Sequence, residues 1–106
     1  MLILILVDAR IVLVPEMRRD FIAEVQKVMP LVRSEAGCNR YELFTSATSP
    51  TVIHFLEEWG SQRHLDEHLT QPHMQEFFAK TAKWHAAPTE LMIYEVISAR
   101  KITMND

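Results

Sequence analysis

Five histidines, at positions 54, 64, 68, 73 and 85, are the side chains of this sequence best suited to moving protons near neutral pH. His68 follows Leu65 by three residues and precedes Leu69, so on a helix it lies on or beside the apolar stripe. His73 comes directly after Pro72, at the start of a further helical piece. A neutral imidazole at either place can accept a proton or hold a substrate hydroxyl; it can equally be satisfied by a backbone carbonyl at a helix junction. Of the two, His68 is the one expected to face a cavity. His64, Glu67 and His68 form a His-x-x-Glu-His string like that of some zinc peptidases, and histidines spaced i, i+4 can share an ion. That chemistry also needs a third ligand on a separate helical segment and a substrate cleft. Helical phase puts His64 and Glu67 on the surface, so no metal is expected. His54 and His85 show no partner in the sequence.

Trp59 shares its strand phase with Ile53, Phe55 and Glu57. Its ring can wall a pocket for an aromatic substrate, although packing at a strand end is the simpler role. Glu57 is the odd member of that phase, because a carboxylate between Phe55 and Trp59 is costly to bury unpaired. Arg10 or Arg40 is its expected partner. Tyr41 can turn its hydroxyl into a pocket or serve as a core or interface residue. Cys38 has no evident cationic neighbour to make it a strong thiolate and reads as a small buried hydrophobe.

These side chains need a frame. Residues 2–14 are rich in Ile, Leu and Val and read as a strand. Pro15 suits a helix start, and Met17, Phe21, Val25, Val28 and Val32 then form one apolar stripe. Pro30 falls inside that stripe and predicts a kink or break. Gly37 ends the segment, and Cys38 begins a second strand reaching about residue 45. Turn residues 46–51 lead to a third strand over 52–59, antiparallel to the second. Gly60-Ser61 stops it, and Ser61 can cap the next helix. Helical pieces are predicted over 62–70 and from 72 to about 85. A last strand runs from 90 to about 98, and residues from about 99 to 106 form a polar, frayed tail.

The order β-α-β-β-α-β predicts an α+β, ferredoxin-like fold in a single domain spanning 1–106, with both helices on one face of the sheet. The first and last strands are apolar in both phases, and a strand of that kind is buried on both faces. Two helices cover only one face. A second copy of the chain is the simplest cover for the other, which predicts a homodimer.

Composition narrows the function further. With 106 residues, two glycines and a net charge of −3, there is no Gly-rich phosphate loop and no basic footprint for nucleic acid or membrane. The apolar start is too short for a signal peptide, and one cysteine excludes an intramolecular disulfide, so a cytoplasmic protein is expected.

Three blocks carry a resemblance. Glu35-Ala36-Gly37-Cys38 with Tyr41, then Phe55 with Glu57-Glu58-Trp59-Gly60-Ser61, then Leu65, His68, Pro72-His73-Met74 and Phe77 together resemble the antibiotic biosynthesis monooxygenase (ABM) family. The resemblance implies a dimeric α+β barrel. It also implies an oxygenase that needs no metal, flavin or other cofactor, with His68 and His73 as catalytic groups and Trp59, Tyr41, Glu57 and Phe77 around a small aromatic substrate. The family's haem-degrading branch relies on an Asn, a Trp and a His where this chain has Ala9, His68 and Phe78, so that activity is not expected. The reading is therefore a monooxygenase of a quinol, polyphenol or anthrone-like aromatic with O2. An isomerase of a small (phospho)hydroxyketone and a non-catalytic dimeric binding module are the alternatives.

Overall fold

The computed structural model describes residues 3–105; the expected strand position Leu2 and the tail residue Asp106 lie outside the described residues. The elements are β1 (Leu4–Val12), α1 (Arg18–Arg33), β2 (Cys38–Thr45), β3 (Val52–Trp59), α2 (Gln62–Leu69), α3 (Pro72–Thr81) and β4 (Glu90–Val96), with 3-10 turns at Pro15–Met17 and Ala82–Trp84. All neighbouring strands are antiparallel, in the order β2-β3-β1-β4. This is the α+β, ferredoxin-like arrangement that the order of elements implies.

The alternation of β1 decides where the core lies. Ile5, Val7, Ala9, Ile11 and Leu13 are buried on the helix side. Phe21, Val25, Val28 and Val32 of α1 meet the sheet from that side, and Phe55 and Trp59 of β3 join them. Strand β2 contains a bulge: Cys38 pairs with Trp59 but Arg40 with Glu58, so two residues oppose one. The slip turns Tyr41 inward, opposite Glu57.

Helix α1 does not break at Pro30 but runs on to Arg33. Proline removes the bond to the Gln26 carbonyl, but both residues lie on the exposed face, where water can replace it. Three boundaries fall short of expectation. Residue 13 makes only an isolated bridge to His85, α3 ends at Thr81, and β4 ends at Val96. Strand β4 is exposed in both phases, with Leu91, Met92, Ile93 and Tyr94 all uncovered within the single chain. The outer phase of β1, including Leu4 and Leu6, is half-buried.

One backbone feature positions the site. Gly37 has φ +77, and a Cβ there would meet the Cγ of His64 at 2.2 Å. Its carbonyl accepts from the Gly60 amide at 2.8 Å. The turn after α1 is thereby pinned against the turn before α2, and Glu35 is carried to the histidines of α2 and α3.

Candidate active site

A cavity of about 330 Å³ lies between the sheet and helices α2 and α3. Its wall is apolar, built from Ala9, Ile11, Phe21, Phe55, Met74 and Phe77 among others. Tyr41, Glu57 and His68 supply polar groups at one end. These come from three elements: alternation along β2 and β3 aims Tyr41 and Glu57 inward, and the i+3 step from Leu65 puts His68 on the buried face of α2.

Glu35 organises the histidines. The His68 Nδ1–H donates to the Glu35 carboxylate, at 3.0 Å from Oε1 and 3.1 Å from Oε2, and His73 Nε2 lies 2.7 Å from Oε2. A carboxylate fixed at Nδ1 leaves Nε2 of neutral His68 as the proton acceptor. That Nε2 is 3.9 Å from Oε1 of Glu57, too far for a direct hydrogen bond. Burial pushes the His68 pKa down, while the hydrogen bond and charge of Glu35 oppose that shift. The net effect favours the neutral imidazole.

Glu57 does not pair with Arg10 or Arg40. Arg10 points outward and Arg40 reaches Glu42 and Glu58. The partner of Glu57 is its neighbour two residues on: the Trp59 indole N–H donates to Oε1 at 2.9 Å. Burial raises the Glu57 pKa to about 7, with the charge of Glu35 adding to the rise and the indole bond opposing it. A carboxyl that titrates near neutrality beside an imidazole whose charged form is disfavoured is an arrangement able to serve as an acid–base pair.

The other candidates fall as follows. Phe77 is in the cavity wall. Trp59 is fully buried behind the lining, with its ring 4.5 Å from that of His68. His73 lies outside the lining, on the far side of Glu35, where it borders surface grooves. His64 Nδ1 is held by the Ser61 hydroxyl at 2.9 Å, and among the described residues no group of three or more His, Cys, Asp or Glu is placed to hold a metal. Burial raises the pKa of the Cys38 thiol, with Glu35 and Glu57 adding to it. Ala9, His68 and Phe78, where the haem-degrading residues would stand, all line the cavity.

Sequence reasoning gave Glu35 no role. It is 33 residues from His68 in sequence, and only the folded turn brings it near. His85 also lines the cavity, although no pattern in the sequence marks it. His54 has a partner after all, Asp8 Oδ1 at 2.6 Å, across the β1–β3 pairing on the outer face.

The comparisons with known proteins agree with this architecture. The family model for "Antibiotic biosynthesis monooxygenase" matches residues 4–80. "Putative monooxygenase YcnE" of Bacillus subtilis is 29% identical over 93 residues, covering 88% of this chain and 98% of that protein. "Probable quinol monooxygenase YgiN" of Escherichia coli is 29% identical over 68 residues, 57% of this chain and 65% of that protein. The crystal structure of a conserved protein from Methanosarcina mazei superposes with a TM-score of 0.86 at 26% identity, over 90% of this chain and 94% of that one. The chain belongs to the antibiotic biosynthesis monooxygenase family.

Proposed function

We propose that this protein is a monooxygenase that uses His68 to deprotonate an electron-rich phenol, a quinol or an anthrone-like aromatic, which then reacts directly with O2. The observation that carries the reading is the Glu35 carboxylate held against Nδ1 of His68, which leaves Nε2 beside Glu57 in an apolar cavity. The relative named as a quinol monooxygenase supports the substrate class.

The substrate proton passes to Nε2 of His68, and the imidazolium formed is stabilised by Glu35. A phenol of pKa about 10 against a histidine of about 6.5 makes that transfer uphill by roughly 5 kcal/mol. Burial of His68 widens the gap. Glu35 narrows it, and protonated Glu57 narrows it further by donating to the developing oxyanion. The carbanion form of the substrate forms a C–O bond with O2. The resulting peroxide anion takes a proton back from His68, and the hydroperoxide loses water to leave a carbonyl. One O2 thus yields one oxidised carbon and one water.

The second copy expected from the sequence belongs to the same proposal. The outer phases of β1 and β4 present Leu4, Leu6, Met92 and Tyr94 on one side of the sheet. Another copy of that self-complementary face is its occupant. Light scattering during size-exclusion chromatography gives twice the chain mass if this holds; a monomer at micromolar concentration overturns it.

The test of function is oxygen consumption by purified protein with a naphthohydroquinone or anthrone and nothing else added, corrected for spontaneous oxidation. Uptake that depends on His68 supports the reading. Exchange of substrate protons without oxygen uptake would reassign the site to an isomerase.

A further inference from the structure

The cavity has a second polar end. His85 and Thr89 line it, and the sheet register places them far from Glu57. Glu57 pairs with Val7 of β1, whereas His85 bridges Leu13, six residues further along, or about 20 Å at 3.3 Å per residue. A row of rings joins the two ends. Tyr41 lies 5.8 Å from His68, Phe55 stacks on Tyr41 at 5.3 Å, Phe21 follows at 6.5 Å, and His85 sits edge-on to Phe21 at 5.8 Å. Ala9, the small residue of its register row, sits between Phe55 and Leu91 and keeps the floor open.

His85 is held rigidly. The Val14 amide donates to the Trp84 carbonyl at 2.9 Å and the Ala86 amide to the Val12 carbonyl at 2.8 Å, so the backbone on both sides of His85 is tied to the end of β1. Its side chain is loosely satisfied: Nδ1 and the Thr89 hydroxyl are 3.4 Å apart. Burial lowers its pKa, leaving a neutral ring with one N–H to donate and one nitrogen to accept. A fixed imidazole with spare hydrogen-bonding capacity at the end of an apolar slot is suited to orienting a ligand.

We propose that His85 recognises a second oxygen on the substrate, so that the cavity takes a flat, multi-ring phenol oxygenated at both ends. This rests on the reading of the cavity as a phenol site and specifies which phenols it accepts. His85 is a specificity residue in this account and takes no part in the proton transfer at His68.

Calorimetric titration under argon, which removes the oxygen chemistry, tests it with three probes sharing one ring system. These are 2,6-dihydroxyanthraquinone, 2-hydroxyanthraquinone and 2-hydroxy-6-methylanthraquinone, whose three fused rings suit the length of the slot. The diol is expected to bind about tenfold more tightly than the other two, the worth of one hydrogen bond. In His85→Phe that preference disappears while 2-hydroxyanthraquinone affinity stays within about twofold; His85→Gln keeps part of it. Thermal melts establish that each variant is folded. Should His85→Phe fail to fold, the wild-type comparison of diol with methyl analogue still decides, since the two differ at the distal substituent. Equal binding of all three probes by the wild type overturns the role of His85 and leaves the phenol reading standing. A diol preference that survives in His85→Phe overturns it too. Binding of none of them at millimolar concentration overturns both.

Discussion

Each face of the sheet carries a histidine bonded to a carboxylate, and burial separates the two pairs. On the helix side, His68 and Glu35 have side chains 2% and 8% exposed; on the outer face of the single chain, His54 and Asp8 are 36% and 42% exposed. The outer distance is the shorter, 2.6 Å against 3.0 Å. Distance alone would therefore rank the wrong pair first. In water, an exposed pair is screened and contributes about 0–1 kcal/mol. In the cavity the same two groups fix a tautomer and lower the energy of a charge that appears only during reaction.

The sharpest way to break this contrast is to remove each histidine in turn. His68→Ala should lower the oxygen-consumption rate by about 10²-fold or more, whereas His54→Ala should leave it within about twofold. Equal losses would point to general destabilisation and dissolve the distinction. If the outer face is an interface, the His54 effect will instead appear as a concentration dependence of assembly.

Glu57 offers the next largest effect, on stability and on the pH profile of the rate. Its pKa in the fold, about 7, lies above the 4.5 of an ordinary glutamate side chain. The folded state therefore holds the proton more tightly, and the stability this contributes is complete below pH 4.5 and is lost as the pH rises through 7. Glu57→Gln, which cannot ionise, should raise stability above pH 7 by up to about 3 kcal/mol, measured as melting temperature against pH. The same change should remove the alkaline limb of kcat/KM near pH 7. The wild-type profile should be a bell whose acid limb lies below pH 6.5, because burial lowers the pKa of His68. An acid limb above 6.5 would break the assignment.

Two smaller effects finish the series. Glu35→Ala leaves the buried Nδ1–H of His68 without its acceptor and should cost about 1–3 kcal/mol, read by urea denaturation. Asp8→Ala should cost about 1 kcal/mol or less in the monomeric chain, and the cost should shrink at high salt.

The sequence revealed the frame more readily than the site, for reasons visible in particular residues. The stripe from Phe21 to Val32 and the alternation in β3 are local repeats that burial imposes directly, so α1 and the hairpin could be placed from them. Pro30 misled because proline's cost depends on which face loses its hydrogen bond. His68 was legible because Leu65 and Leu69 mark the buried side of α2. A buried carboxylate suggests a cation as its partner, yet Trp59, two residues along the same strand, necessarily shares the face of Glu57 and carries an N–H. Glu35 left no such trace: it lies in a turn, outside any periodic pattern, and its meeting with His68 depends on how α1, β2 and α2 are packed.

The contact between Gly37 and Gly60 gives that packing an observable clock. The Gly60 amide can exchange its hydrogen with solvent only when the two turns part, and that parting would carry Glu35 away from His68. The exchange rate of this one amide therefore counts the fraction of molecules in which the imidazole is free to change tautomer. A substitution that speeds exchange at Gly60 while leaving the amides of β1 protected would loosen the chemistry without loosening the fold.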